Sequence, residues 1–202
     1  MQKHYRYFFY DFDGMISDTY PHIARAFSTV LSEMRETQID ERQTYDLLKV
    51  NFQTAYDYYN VSPEEKERIR QRHENWFYEP IPTLFPDVKE VLTEGVRRGN
   101  RNIIYTNRGE SVYEYLKRLD VLDCFFEFIL HANKPDHRSL LDMVESRGLK
   151  REECVVIGDR EVDMVPAHRL GIDGILFDPD HRVHDHHGTY VIRSAKELFD
   201  FL

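Results

Sequence analysis

Short apolar runs alternate with amphipathic segments along most of this chain. Apolar runs of about five residues, bounded by polar residues, are typical of strands that are covered on both faces of a sheet. The runs that predict such strands are residues 5–10, 102–106, 125–130, 154–157 and 174–177, with a further short strand in the YVI segment.

The segments between these runs have helical periodicity and clear boundaries. Asp87 and Glu90 form a predicted capping box at the start of one helix, and Gly99 predicts its end. Similar helices are predicted after Ser111 and around Leu140. Strands that alternate with helices in this way imply a mostly parallel sheet with helices on both faces.

Residues 19–82 differ because they contain only helical patterns. One apolar stripe is formed by Ile23, Phe27, Val30, Leu31 and Met34. Ser62 begins another helix, with proline at its first position and a capping box. We therefore expect an α/β domain formed by residues 1–18 and 83–202 and a helical domain formed by residues 19–82. The insertion follows the first strand, where α/β folds place active sites.

Composition excludes several classes of protein. The 202 residues carry a net charge of -9, which argues against non-specific binding of nucleic acid. No apolar stretch approaches the ~20 residues of a membrane helix, and the N-terminus has no signal-peptide pattern. Cys124 and Cys154 form no CxxC pair, so we expect free thiols and a cytoplasmic location. The sequence leaves the oligomeric state open.

Two carboxylates, Asp11 and Asp13, end the first predicted strand, and Gly14 follows them. Like charges this close repel, so the ionised pair favours a bound cation or a shared proton. An oxygen-rich site with few protein ligands is typical of Mg²⁺. The alternative is an acidic turn that caps the next helix.

A second acidic pair, Asp159 and Asp163, follows the fourth predicted strand. Their spacing of four residues places both on one side of a helix. The pair could complete a metal site with Asp11, or it could simply favour the helix dipole.

Two further polar segments also follow predicted strands. Thr106 and Asn107 bring a hydroxyl, an amide and free N–H groups before a helix, which suits a phosphate. Lys134 stands at a strand end, and Pro135 is expected to open the next helix. Taken singly, a polar capping loop and a solvated surface lysine are the favoured explanations of these residues.

The four segments occur in the order DFDGMISD, YTNR, HANKPD and IGDREVD, each at a strand end. In this order they resemble the motifs of haloacid-dehalogenase-superfamily phosphohydrolases, in the branch of phosphoglycolate phosphatase and β-phosphoglucomutase. The resemblance spans nearly the whole chain. It implies a Rossmann-like doubly wound parallel sheet with an inserted all-helical cap that closes over the active site.

The resemblance also implies roles for individual residues. Asp11 would be the nucleophile that forms an aspartyl-phosphate. Asp13 would be the general acid for the leaving alcohol and then the base for water, which requires an environment that raises its pKa. Mg²⁺ would be held by the Asp11 carboxylate, the Asp13 backbone carbonyl and Asp159, with Asp163 as an outer or water-mediated partner. The phosphoryl oxygens would be held by Thr106, Asn107 and Lys134.

This pattern predicts a Mg²⁺-dependent phosphatase that acts on a small phosphorylated metabolite. The alternatives are a phosphomutase with the same nucleophile and, less in keeping with the intact motifs, a non-catalytic binding protein of the same fold. Two residues depart from the family pattern. Met15 replaces the usual threonine, and Pro166 is expected to kink or shorten the helix that contains it.

Two clusters remain outside the motifs. Histidines collect in a loop near the C-terminus, for which we favour a polar loop over a second metal site; they are His181, His184, His186 and His187. Aromatic residues collect in the helical insertion, where most are expected to form its core; they are Tyr45, Tyr56, Tyr58, Tyr59, Trp76, Phe77 and Tyr78.

Overall fold

Six strands form one parallel sheet in the computed structural model, which describes residues 3–75, 82–183 and 186–202. The strands are β1 (Tyr7–Tyr10), β2 (Arg101–Tyr105), β3 (Phe125–Ile129), β4 (Cys154–Gly158), β5 (Asp173–Phe177) and β6 (Tyr190–Ile192). Their order is β3-β2-β1-β4-β5-β6, and every neighbouring pair is parallel. The predicted Rossmann-like α/β class is confirmed.

The central strand β1 is apolar because both of its faces are covered. Phe9 packs into a core cluster with residues of helices on one face, while Phe8 and Tyr10 stack on each other on the opposite face with ring centroids 6.1 Å apart. Alternation of side chains along a strand produces this division. β1 therefore lies in the middle of the sheet, and Asp11 and Asp13 follow its carboxyl end.

Among the described residues, the α/β unit contains four α-helices that precede or follow its strands. They are α5 (Val88–Arg98), α6 (Ser111–Arg118), α7 (Arg138–Ser146) and α8 (Glu161–Leu170). Leu140 of α7 and Met164 of α8 belong to the same buried cluster as Phe9. Strand order reverses between β1 and β4, and in open α/β sheets the crevice at such a reversal is where ligands bind.

Contacts divide the chain into two compact units, Met1–Ser17 with Leu84–Leu202 and Asp18–Thr83. The second unit contains α1 (Tyr20–Arg35), α2 (Glu41–Val50), α3 (Phe52–Tyr58) and α4 (Pro63–Glu74). The predicted capping box at Ser62 is present, with both of its hydrogen bonds. Arg35 pairs with Glu65 of that box, and this hydrogen bond lowers the pKa of Glu65 to about 2.

The chain leaves and re-enters the α/β unit at one place. Ser17 and Leu84 form an isolated antiparallel bridge, and the Phe85 N–H donates to the Ile16 carbonyl at 3.2 Å. Within the helical unit, the Asp18 N–H donates to the Thr83 carbonyl at 3.0 Å. The two ends of the insertion are therefore adjacent.

Aromatic side chains of the insertion mostly pack into its core, as predicted. Tyr45, Tyr56 and Tyr59 pack against the buried cluster of the helical unit. Tyr58 is the exception, because 62% of its surface is exposed. Trp76, Phe77 and Tyr78 lie outside the described residues.

Several local predictions were wrong or inexact. Asp87 precedes α5 but makes no side-chain cap, because its backbone is left-handed with φ of 65°. Pro135 does not open α7, which begins three residues later. Pro166 lies inside α8, which continues to Leu170, and the predicted kink stays a prediction. β1 begins two residues later than predicted, since the Tyr5 N–H donates to the Phe201 carbonyl and not to a strand.

Cys124 and Cys154 are free thiols, as predicted. None of the helices described in the structure has the length and apolar character that crossing a membrane requires.

Candidate active site

Three buried aspartates meet at the carboxyl ends of β1 and β4. Asp11 follows β1, Asp159 follows β4 and Asp163 lies in the first turn of α8, with one oxygen of each within 4.8 Å of the others. Asp11 Oδ2 is buried and accepts no hydrogen bond from the described residues. Buried carboxylates in such proximity are costly without positive charge. An all-oxygen donor set with an unsatisfied buried oxygen fits Mg²⁺.

Lys134 supplies positive charge to this cluster from the loop after β3. Its Nζ donates to Asp11 Oδ1 at 2.7 Å and to the Tyr105 carbonyl at 3.0 Å, and it also donates to Asp163 Oδ1. The Lys134 side chain is fully buried. All three N–H donors of the ammonium are thus used within the protein. The predicted contact between Lys134 and a phosphoryl oxygen stays a prediction.

Burial and neighbouring charges shift the pKa values of Asp11 and Lys134 in opposite directions. Burial raises the pKa of Asp11 to about 7, although the nearby Lys134 charge lowers it. Burial alone would lower the pKa of Lys134, but the charges of Asp11 and Asp163 outweigh burial and raise it. Lys134 therefore stays charged. Ionised Asp11 at neutral pH would gain from a further cation, in keeping with the metal fit.

Asn107 has a positioning contact that the sequence did not predict. Its Oδ1 accepts from the Lys134 N–H at 2.7 Å, and its Nδ2 donates to the Lys134 carbonyl at 3.4 Å. The amide therefore fixes the loop that carries the buried ammonium. Thr106 Oγ1 accepts from the Arg108 N–H at 3.2 Å, and Thr106 is buried. Contacts of Thr106 and Asn107 with a phosphoryl group stay predictions.

Asp13 does not join the three aspartates but pairs with Arg108. The Arg108 guanidinium donates from Nη2 to Asp13 Oδ1 at 2.6 Å and from Nε to Oδ2 at 3.1 Å. Arg108 lies in the loop after β2, and no role was predicted for it from the sequence. Its position directly after Thr106 and Asn107 was the available sequence indication. The expected raised pKa of Asp13 stays a prediction.

Gly14 and Met15 follow Asp13 directly in the turn after β1. Gly14 has φ of 87°, which is the left-handed region that favours glycine, and its N–H donates to the Ser17 carbonyl at 2.9 Å. Met15 is fully buried. The residue that departs from the family pattern thus serves as core, and nothing in the structure explains why it replaces threonine.

Gly158 allows Asp163 to approach the end of β4. A Cβ added to Gly158 would lie 2.5 Å from Asp163 Cβ, so the two residues cannot both keep their positions. We expect Gly158→Ala to destabilise the protein by about 1–3 kcal/mol, as overpacking of a filled site does. The variant should also lose activity, because Asp163 must move away from Lys134. Thermal unfolding and phosphate release measure the two effects.

Gly95 provides the matched control. It lies within α5, and an added Cβ would make an ordinary contact at 3.4 Å with Leu202 Cδ2. Alanine is favoured over glycine in helices by about 0.5–1 kcal/mol, so Gly95→Ala should be neutral or stabilising. Equal melting temperatures and activities for Gly158→Ala and the wild type would show that the close contact with Asp163 is unimportant.

The histidine loop makes no second metal cluster among the residues that the structure describes. His187 pairs with Glu161, and its ring centroid lies 4.7 Å from that of His168. His181 is exposed. His184 lies outside the described residues. The preference for a polar loop over a second metal site stays a prediction.

The sheet order, the acids at two adjacent strand ends and the buried lysine define an α/β protein with a buried acidic centre whose donor set suits a cation. A model of the haloacid dehalogenase-like hydrolase family matches residues 8–177. The chain belongs to this family, and the predicted phosphohydrolase class is confirmed.

Relatives within the family are named phosphatases. A phosphoglycolate phosphatase of Synechococcus elongatus is 24% identical over 169 residues, covering 81% of this chain and 79% of that protein. The pyrophosphatase PpaX of Bacillus mycoides is 22% identical over 172 residues, covering 80% and 78%.

Solved structures show the same fold. A haloacid dehalogenase-like hydrolase of Bacteroides fragilis has a TM-score of 0.79 at 21% identity, covering 96% of this chain and 99% of that one. CbbY of Rhodobacter sphaeroides, solved in complex with phosphate, has a TM-score of 0.76 at 17% identity and 96% coverage of both chains. At these identities the likeness concerns the fold alone.

Proposed function

We propose that this protein is a Mg²⁺-dependent phosphatase that hydrolyses a small phosphorylated metabolite through an aspartyl-phosphate. The observation that carries the proposal is the environment of the Asp11 carboxylate. One of its oxygens accepts from the buried Lys134, and the other is buried without a hydrogen bond beside Asp159 and Asp163. A carboxylate held in this way is oriented and charge-compensated, as an attacking group must be. The phosphoglycolate phosphatase and pyrophosphatase relatives support a small phosphorylated substrate.

The proposed reaction has two displacements at phosphorus. In the first, an Asp11 oxygen bonds to phosphorus, the bond to the ester oxygen breaks, and Asp13 gives a proton to the leaving alcohol. In the second, water attacks phosphorus while Asp13 takes its proton, and the bond to Asp11 breaks to release phosphate. Asp11 and Asp13 return to their starting forms, so the cycle balances.

Charge stabilisation falls to the residues around Asp11. Lys134 offsets negative charge that develops on the phosphoryl oxygens, and Thr106 and Asn107 bring their loop against the same region. Mg²⁺ bound by Asp11, Asp159, the Asp13 carbonyl and, directly or through water, Asp163 would neutralise phosphoryl charge and keep Asp11 ionised. We also propose that the helical insertion acts as a cap over this site. A cytoplasmic location is part of the same proposal.

A screen of phosphorylated metabolites tests the metal dependence. With Mg²⁺ present, we expect phosphate release from at least one small phosphate ester. Excess EDTA should lower that rate at least about a hundredfold, since the phosphoryl charge loses its main counter-ion, and added Mg²⁺ should restore it. Full activity in excess EDTA would contradict the metal assignment.

The same screen separates the phosphatase from the phosphomutase alternative. A phosphatase releases inorganic phosphate from simple esters in proportion to substrate consumed. A mutase converts one phosphorylated isomer to another and releases little phosphate. Isomerisation without phosphate release would replace the proposed reaction while keeping Asp11 as the nucleophile. No reaction with any ester would favour the non-catalytic alternative.

A further inference from the structure

A small cavity lies at the amino ends of β1, β2 and β3, at the end of the sheet opposite the aspartate cluster. Its volume is about 220 Å³. Part of its lining is apolar and also packs against the buried cluster that contains Phe9; these side chains are Tyr7, Met143 and Leu149. Tyr7 begins β1 and Asp11 follows it, so roughly 13 Å of extended strand separates the cavity from the candidate active site.

Positive charge predominates in this cavity. Its lining contains Arg6, Arg101 and Arg147, and one carboxylate, that of Glu127. Arg147 pairs with Glu127. Arg6 and Arg101 form no ion pair with any residue that the structure describes. The cavity thus has two positive charges in excess, although the chain as a whole has a net charge of -9. A local excess of this kind favours an anionic ligand.

Aromatic rings hold these two guanidinium groups in place. The guanidinium carbon of Arg6 lies 5.5 Å from the centroid of the Tyr7 ring, and that of Arg101 lies 4.6 Å from the centroid of the Phe126 ring. Their backbones are also joined, because the Arg101 N–H donates to the Arg6 carbonyl at 2.8 Å. A guanidinium that is already positioned loses less conformational freedom when it binds an anion.

A β-bulge directs Phe126 to this position. Phe125 is paired with Asn102 and Glu127 with Ile103, so Phe126 is an extra residue in β3. Phe126 is 54% exposed. β3 is an edge strand of the sheet, and a bulge at an edge opposes pairing with a further strand. The exposed ring is therefore better suited to contact a small ligand than to support a peptide added as a strand.

We propose that this cavity binds a small organic anion, in which one carboxylate or phosphate is carried on an apolar ring. Arg6 and Arg101 bind the acidic group through charge-assisted hydrogen bonds, while Phe126 and Met143 contact the ring. The volume is below the roughly 300–1,000 Å³ of sites for drug-sized ligands, so one ring and one acidic group fit best. This site is separate from the proposed phosphatase reaction and does not depend on it.

The methyl signal of Met143 tests binding by NMR in the wild-type protein with Mg²⁺. The chain has five methionines, which are labelled with ¹³C at the methyl group, and Met143→Leu identifies the signal of Met143. The acidic probes are phenylacetate and phenylphosphonate. Phenylacetamide is the neutral isostere, and acetate is the acid without a ring.

We expect the Met143 signal to shift in a saturable way with at least one ring-bearing acid, with a Kd of about 1–10 mM for a ligand of this size. Phenylacetamide and acetate should bind at least about tenfold more weakly, because each lacks one half of the interaction. The two ring-bearing acids show whether carboxylate or phosphate chemistry is preferred.

Two outcomes of this titration would overturn the inference. One is the absence of a saturable shift of the Met143 signal with both ring-bearing acids. The other is equal affinity for phenylacetamide, since the cavity would then be apolar without recognising an anion. Neither outcome bears on the phosphatase proposal, because phosphate release in the metabolite screen is measured separately.

Arginine variants assign the binding to this cavity. Arg101→Gln should weaken binding at least about tenfold, while phosphate release stays at the wild-type rate, since Arg101 is exposed and lies at the far end of the sheet. Arg6→Gln should act in the same way, and it serves if Arg101→Gln does not fold. Arg97→Gln is the control, because it removes an exposed arginine that pairs with Glu94, and it should leave Kd unchanged.

An unchanged Kd in both Arg101→Gln and Arg6→Gln would overturn the proposal. Equal weakening by Arg97→Gln would also overturn it, because the effect would then come from the net charge of the protein and not from this cavity.

Discussion

Asp11→Asn is expected to lower phosphate release by at least about 10⁴-fold, because the amide cannot attack phosphorus and no other carboxylate among the described residues has the same environment. Asp159 and Asp163 come from β4 and α8, and Lys134 engages Asp163 as well as Asp11. Asp159 and Asp163 are therefore not placed to substitute for a nucleophile that follows β1. Turnover of the best substrate with Mg²⁺ measures the loss, and near-normal turnover would remove Asp11 from its role.

Stability of the same variant provides its control. Burial raises the pKa of Asp11 from 3.8 to about 7, so this group favours the fold fully below about pH 4 and loses that contribution as pH rises through 7. Asparagine does not ionise. Metal-free Asp11→Asn should therefore melt no lower than wild type at pH 8 and show a smaller loss of melting temperature between pH 4 and pH 8. A variant that is unfolded at pH 8 would make its inactivity uninformative about the nucleophile.

Lys134→Met is expected to destabilise the protein by about 3 kcal/mol or more, because it leaves Asp11 and Asp163 buried without the ammonium that joins them. Methionine keeps much of the side-chain length, so lost packing contributes little. Activity should also fall by about 10²–10³-fold, because Asp11 loses the positive charge that orients it and offsets negative charge beside it. Thermal unfolding without metal and phosphate release with Mg²⁺ measure the two effects.

Lys89→Met is the matched control for that variant. Lys89 Nζ lies 2.7 Å from Asp120 Oδ2, but both side chains are substantially exposed. An exposed pair of this kind contributes about 0–1 kcal/mol. If Lys134→Met melted at the same temperature as Lys89→Met, the buried contacts of Lys134 would have no structural importance, and its assignment as the central cation would be wrong.

The sheet and its acidic cluster were predictable because local patterns define them. Buried parallel strands are continuous apolar runs, so β2 to β5 lie within one or two residues of their predicted bounds. Carboxyl ends of parallel strands meet at one edge, which is why Asp11 and Asp159 could be expected to meet from sequence positions far apart. β1 and β4 are direct neighbours, and the Asp11 N–H donates to the Ile157 carbonyl at 2.8 Å.

The side-chain partners were not predictable because no local pattern encodes them. Arg108 and Asp13 are 95 residues apart, and nothing near either residue indicates the other. The contact of Asn107 with a phosphoryl group stays a prediction, and its hydrogen bond from the Lys134 backbone N–H was not predicted. At Asp87, the requirements of the connecting turn set a left-handed backbone and prevented the cap that the sequence favours.

The bridge between Ser17 and Leu84 has a consequence for how proteins of this design diversify. Ser17 and Leu84 pair directly with each other. The two ends of the insertion can therefore meet at this bridge whatever the length of the chain between them. The entropy of closing a loop rises only slowly with its length. Insertions of other sizes can therefore be accommodated at this point at little cost in loop-closure entropy.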